Sequence, residues 1–175
     1  MSTVQTRYVS PETIEALAAN ITIDAGLNGV DVGAVDVIKL AEYFGSTVEE
    51  VNFQPDDISA KATKSTDDSY LIQVSSSDGA KRQRFSIAHE IAHIVLHDDD
   101  EFIEYRKPLA DYDDSNMLYK EVQANMLASA LLMPRDLVQR VWANTKDIDD
   151  LAEVFNVSRT AAYYRLDNLQ LLNGE

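Results

Sequence analysis

The sequence predicts an α+β fold: mostly helical, with one small antiparallel sheet and a C-terminal helical pair. Two observations carry this. Residues 47–75 hold three short segments with the residues and alternation of strands, separated by polar turns. The segments on either side carry apolar residues at helical spacing, bounded by Ser, Pro, Asn and Gly.

The elements follow in order. Ser10 can cap a helix that Pro11 opens and that runs to about Leu27, with Ile14, Leu17, Ala18 and Ile21 on one face. Asn28-Gly29 ends it. A second helix covers Ala34 to Phe44, closed by Gly45. Strands are expected at Thr47–Phe53, Ile58–Thr63 and Ser69–Ser75. Ser86 is a candidate cap for a helix over Ile87–Leu96. Residues 98–114 read as an acidic solvated loop, with a lid or a partner contact as its functional alternatives. A long helix spans Met117–Met133 and stops at Pro134, which opens another over Arg135–Trp142. Asp147–Phe155 and Ser158–Leu172 form the final pair. The domain division is therefore 1–145 for the main body and 146–175 for a helix-turn-helix-like extension packed on it.

The chain has 175 residues, enough for one domain with a small appendage. It contains no cysteine, which excludes disulfides, thiolate metal sites and a Cys nucleophile. Any metal must be held by His, Asp or Glu. The first twenty residues lack the pattern of a secretory signal and no apolar run is long enough to span a bilayer, so a cytoplasmic protein without membrane contact is expected. The net charge of −15 opposes binding to phosphate backbones and is read mainly as a source of solubility.

Chemistry enters at Arg84-Phe85-Ser86-Ile87-Ala88-His89-Glu90-Ile91-Ala92-His93, which contains H-E-x-x-H. Four residues of helix rise about 6 Å and make slightly more than one turn. His89 and His93 therefore share a face and can bind one Zn²⁺ at about 2.0–2.1 Å. Glu90 is placed to act as a general base on a water whose pKa the metal lowers. Its neighbours Ile91, Ala92, Ile94, Val95 and Leu96 suit a buried site helix better than a surface one. His97 lies a further turn along and is too far to complete the set; it reads as a helix-end residue.

A third ligand is needed for a catalytic zinc. Glu121 and Asn125 lie four apart on one face of the Met117–Met133 helix, with Ala124 and Ala128 alongside. Small residues permit close approach to the His helix. Glu121 could then complete a His₂Glu site and Asn125 could bond a ligand imidazole. Spacing alone equally allows Glu121 to be an exposed residue on an amphipathic helix.

These segments resemble the ImmA/IrrE family of metallopeptidases. The likeness rests on the Arg84–His93 stretch with Leu96-His97, then on Glu121-Val122-Gln123-Ala124-Asn125 and Leu131-Leu132-Met133-Pro134, in the family's order. It covers roughly residues 50–135, and departs where Ala92 stands in place of a common glycine. The resemblance implies a zincin-like domain with one Zn²⁺ on His89, His93 and Glu121, and Glu90 as catalytic base. It also implies cleavage of a protein substrate, a repressor with a helix-turn-helix domain, in the control of mobile elements or stress responses. Tyr119 and Tyr112 are candidate transition-state stabilisers by proximity in sequence. A zinc-stabilised regulator that binds its partner, a repressor or a toxin–antitoxin component, without cutting it is the alternative.

The tail also resembles a helix-turn-helix over Leu151–Ser158, Ala161, Ala162 and Leu166. Residues 146–175 carry a net charge of −3, from three basic and six acidic residues. A DNA reader is basic, so protein contact is the better expectation there and direct nucleic-acid binding is disfavoured.

Overall fold

A computed structural model describes residues 9–27, 33–97, 101–105 and 107–172. Ser10 Oγ accepts from the Thr13 amide and Pro11 opens α1 (Pro11–Asp24), which buries Ile14, Ala18 and Ile21. The helix stops three residues short of Leu27, where Gly26 takes φ +68. The expected stop at Asn28-Gly29 lies outside the described residues. Asp36 accepts from the Ile38 and Lys39 amides and starts α2 (Val37–Tyr43), three residues later than the apolar pattern suggested.

The strands are β1 (Thr47–Val51), β2 (Ile58–Lys64), β3 (Tyr70–Ser75) and β4 (Glu101–Tyr105). They lie in the order β1-β3-β2-β4. The α+β class holds, but the sheet is mixed rather than wholly antiparallel. β3 enters between β1 and β2, so it runs parallel to β1 and antiparallel to β2, and β2 runs antiparallel to β4. Local alternation gives a strand no direction relative to a non-adjacent neighbour, which is why the parallel pair was not foreseen.

The fourth strand corrects the reading of residues 98–114 as loop throughout. Acidic residues are depleted in strands, and two of them hide the period-two pattern in Glu101-Phe102-Ile103-Glu104-Tyr105. Phe102 and Glu104 face inward, while Glu101 is tied to Lys61 of β2 at 2.6 Å.

α3 (Ala80–Leu96) begins at Gly79, two turns before the expected cap. Ser86 is an interior residue of that helix, fully buried. The segment Ala80–Arg84 hid the start of the helix because it holds no large apolar residue, yet nothing in it breaks a helix. Asp114 caps α4 (Ser115–Leu132), and Pro134 separates it from α5 (Arg135–Thr145). Asp147 and Ser158 cap α6 (Ile148–Val154) and α7 (Arg159–Asn168).

α3 lies against the sheet and makes its most extensive helix contact with α4, which in turn carries α1. The apolar core runs without a break across residue 145: Leu151, Phe155, Ala162 and Leu166 belong to the same buried cluster as Ile14, Leu127 and Leu131. Polar bonds fix this join. Trp142 Nε1 donates to the Leu171 carbonyl at 3.2 Å and Arg84 Nε to the Asn156 carbonyl at 3.3 Å. Arg165, only 2% exposed, donates through Nε to the Met133 carbonyl at 2.9 Å and grips Glu15 of α1 with both terminal nitrogens. No helix among the described residues is long and apolar enough to cross a membrane.

Removing one partner from a buried ion pair strands the other charge. Glu15→Ala should therefore lower the unfolding free energy by about 3 kcal/mol, read from urea denaturation of the metal-free chain; an unchanged midpoint would show that the clamp adds nothing.

Candidate metal centre

The site forms where one face of α3 meets one face of α4. Every residue from Ser86 to His93 is buried. Opposite them, Glu121, Ala124 and Ala128 are buried on α4, and alanine at 124 and 128 leaves room for the helices to approach. His89 and His93, one turn apart, point their rings to a common place, with ring centroids 4.6 Å apart.

Three donor atoms converge there. His89 Nε2 lies 3.1 Å from Glu121 Oε2, His93 Nε2 lies 3.3 Å from Glu121 Oε1, and the two Nε2 atoms are 3.0 Å apart. A tetrahedral ion with bonds of about 2.0–2.1 Å holds its ligand atoms about 3.3 Å apart. The observed separations of 3.0–3.3 Å fit such an ion. Among the described residues, His89, His93 and Glu121 form a buried group of potential ligands close enough to share one.

The surroundings bias the donors toward that use. Asn125 Oδ1 lies 3.0 Å from His89 Nδ1 and, as an acceptor, places the ring proton on Nδ1. The Nε2 lone pair is then free to ligate. Phe102 of β4 stacks on the His93 ring at 5.0 Å with planes 24° apart. His97 sits on the other side of His93, with centroids 5.3 Å apart, and its Nε2 is 3.4 Å from the Lys120 carbonyl. That contact joins the end of α3 to the backbone just before Glu121.

Glu90 is fully buried and neither of its oxygens makes a hydrogen bond within normal geometry. Burial pushes its carboxyl up to about 8; the charges of Glu104 and Glu121 add to this and His89 opposes it. A carboxyl with its proton affinity raised in this way is suited to moving protons near neutral pH. Burial favours the uncharged form of His93 and pulls its ring down to about 4. Burial also opposes the charged forms of Glu121 and His89, but their mutual hydrogen bond wins, holding Glu121 low and His89 high.

The two candidate tyrosines part company. The Tyr119 hydroxyl accepts from the Val9 amide at 3.1 Å and from Gln123 Nε2 at 2.8 Å, which engages it with the segment leading into α1. Tyr112 is half-buried under Lys107, whose Nζ is 3.8 Å from the ring centroid. Burial, then the carboxylates Glu121 and Glu104, push its phenol up to about 12, so it keeps its proton and feels the site's charge.

Sequence reasoning missed Phe102, Glu104 and Arg82. Arg82 Nη2 donates to Glu104 Oε1 at 2.5 Å and to Ser59 Oγ at 3.1 Å. The available signal was the alternation of Phe102 and Glu104 inside the acidic stretch.

A buried His-His-Glu set brought together by two helices beside a small mixed sheet makes this an α+β domain with a candidate metal centre. The chain belongs to the family of IrrE N-terminal-like domains, whose model matches residues 36–167. It is 34% identical over 103 residues to the radiation response metalloprotease IrrE of Deinococcus deserti, covering 55% of this chain and 36% of that protein. Its identity to the protein of the same name from Deinococcus radiodurans is 29% over 102 residues, covering 55% of this chain and 30% of that protein. The chain thus matches about a third of the length of these curated relatives. A Mycobacterium tuberculosis transcriptional regulator shares the fold, with a TM-score of 0.65 at 21% identity over 93% of this chain and 48% of that one.

Asn125→Ala should free the His89 ring and weaken zinc binding about 10- to 100-fold, measured by competition with a chromogenic chelator; unchanged affinity would remove Asn125 from the site.

Proposed function

We propose that the chain is a zinc-dependent endopeptidase, with His89, His93 and Glu121 as ligands and Glu90 as catalytic base. The observation that carries this reading is the pairing of a converged His₂Glu donor set with a buried carboxylate, one residue from the first ligand, whose oxygens make no hydrogen bond within normal geometry. A purely structural ion needs ligands but has no use for an adjacent carboxyl of raised proton affinity.

Zinc, when bound, supplies Lewis acidity that polarises a scissile carbonyl and lowers the pKa of a water. Glu90 takes the proton of the attacking water and returns it to the leaving amine. Its buried position keeps bulk water from competing for that proton. Asn125 holds His89 in its ligating tautomer, and His97 holds the α4 backbone beside Glu121. Tyr112, protonated and within the field of the site, donates to the oxygen on which negative charge develops.

The substrate is a protein, and we infer a transcriptional repressor with a helix-turn-helix domain acting in the cytoplasm. Support comes from the family and from the name of its Deinococcus relatives as radiation response metalloproteases. The α6–α7 pair serves as a packed extension of the domain rather than as a DNA reader. Its buried side chains belong to the common core, and the exposed Arg159 at the start of α7 is paired with Asp149 at 3.0 Å. A non-hydrolytic zinc regulator remains the second reading, favoured by one observation: His89 and Glu90 are almost entirely shielded from solvent, as in a closed structural site.

Glu90→Gln should retain zinc and slow cleavage of a co-encoded repressor at least about 100-fold, followed by gel electrophoresis. Chelation should abolish cleavage by the unaltered chain, and added zinc should restore it. Repressor that stays intact but bound after long incubation with the zinc-loaded chain would favour the non-hydrolytic reading.

Tyr112→Phe should lower kcat about 10- to 1000-fold with zinc content and KM unchanged. A rise in KM alone would make Tyr112 a substrate contact instead.

A further inference from the structure

Beyond the three ligands and Glu90, one more carboxylate belongs to the site wall. Glu104 stands on the inward face of β4, two residues after Phe102, whose ring stacks on His93. Register sets Glu104 opposite Ala60 and Phe102 opposite Ala62, both fully buried on β2 beneath α3. Glu104 is itself only 6% exposed. One of its oxygens takes the Arg82 hydrogen bond; the other, Oε2, is buried and makes none.

A buried carboxylate with an unsatisfied oxygen is costly unless some other charge offsets it. Arg82 is a partial answer. It is bound to Oε1 alone, and its own side chain is nearly half exposed, so water screens its charge more than that of Glu104. Glu104 thus lies on the same inward strand face as the Phe102 ring that stacks on His93, and among the described residues the half-exposed Arg82 guanidinium is set against it. With both imidazoles neutral, as ligation requires, the carboxylates of Glu121 and Glu104 are set against a single half-exposed guanidinium at Glu104, and a divalent cation offsets that imbalance.

We propose that Glu104 is a positioning residue for the metal: an uncoordinated carboxylate whose fixed charge strengthens cation binding at His89, His93 and Glu121, with Arg82 orienting it and limiting its strength. This rests on the His₂Glu assignment made above. It differs from a packing role in a way that can be measured. If the Arg82–Glu104 pair merely joined α3 to β4, losing either partner would loosen the site and weaken metal binding. If charge is what matters, the two losses act in opposite directions.

The test uses the full chain and zinc alone, with affinity measured by chelator competition and folding followed by circular dichroism. Glu104→Gln keeps the side chain's size and its acceptor for Arg82 but removes the charge. It should bind zinc about tenfold more weakly, with no loss of thermal stability in the metal-free chain. Glu104→Asp, which restores the charge, should recover most of that affinity. Arg82→Gln should bind zinc more tightly than the unaltered chain. Glu101→Gln, on the outward face of the same strand, should leave affinity unchanged. Equal zinc affinity in Glu104→Gln and the unaltered chain would overturn the proposal, and so would weaker binding by Arg82→Gln. The second criterion holds even if Glu104→Gln does not fold. If the unaltered chain takes up no zinc, the His₂Glu assignment fails first and this inference falls with it.

Discussion

The contact between α3 and α4 governs the rest of the structure. It brings an imidazole pair from one helix against a carboxylate from the other, with Nε2 and Oε atoms 3.0–3.3 Å apart. Polar groups converge inside a protein only where something compels them, because each loses its hydration on burial. Here the compulsion is apolar. Ile91 and Ala92 on α3, with Leu127, Leu131 and Leu132 on α4, are fully buried in one continuous core. Their burial holds the helices together and places the polar donors where their geometry suits a cation.

Several features of the fold serve that contact. The sheet closes one side of α3, and Phe102 at its edge fixes the plane of the His93 ring. α1 packs on α4 from outside and is locked by the buried Arg165–Glu15 pair, whose arginine also holds the Met133 carbonyl at the end of α4. The C-terminal helices therefore support the ligand helix at its far end. This accounts for their share in the common core, and gives α6 and α7 a role that requires no ligand of their own.

The balance of charge inside the site is unusual for a core. Glu90, Glu104 and Glu121 are all buried, and both Glu90 and Glu104 hold oxygens without a hydrogen-bonding partner. Such groups destabilise a chain considered without its ligands, and functional sites are where that cost is tolerated. The same residues that make the interior acidic also make it suited to a divalent cation, so the local penalty and the proposed activity have one origin.

How much of this was legible in the sequence depends on the range of the interaction. His89 and His93 were legible because helical geometry fixes residues four apart with no help from the rest of the chain. Ser10, Pro11 and Pro134 likewise marked helix boundaries through local backbone chemistry. Glu121 and Asn125 shared a face by the same rule, but whether that face met His89 or water was undecided from spacing. Only the packing of α4 on α3 settled it, since burial of a helix face depends on what lies opposite. The parallel pairing of β1 with β3, the strand within the acidic stretch and the early start of α3 escaped for related reasons. Strand direction is set by distant partners, the Glu101–Lys61 pair lies across the sheet, and Ala80–Arg84 has no local signal stronger than the absence of a breaker. The sequence by itself determined that two histidines share one helix face with a glutamate beside the first. Tertiary structure alone decided that Glu121 meets His89 and His93, that Phe102 and Asn125 lie against their rings, and that Glu104 with Arg82 is buried on the same strand face as Phe102, because those relations join segments that only folding brings within a few ångströms.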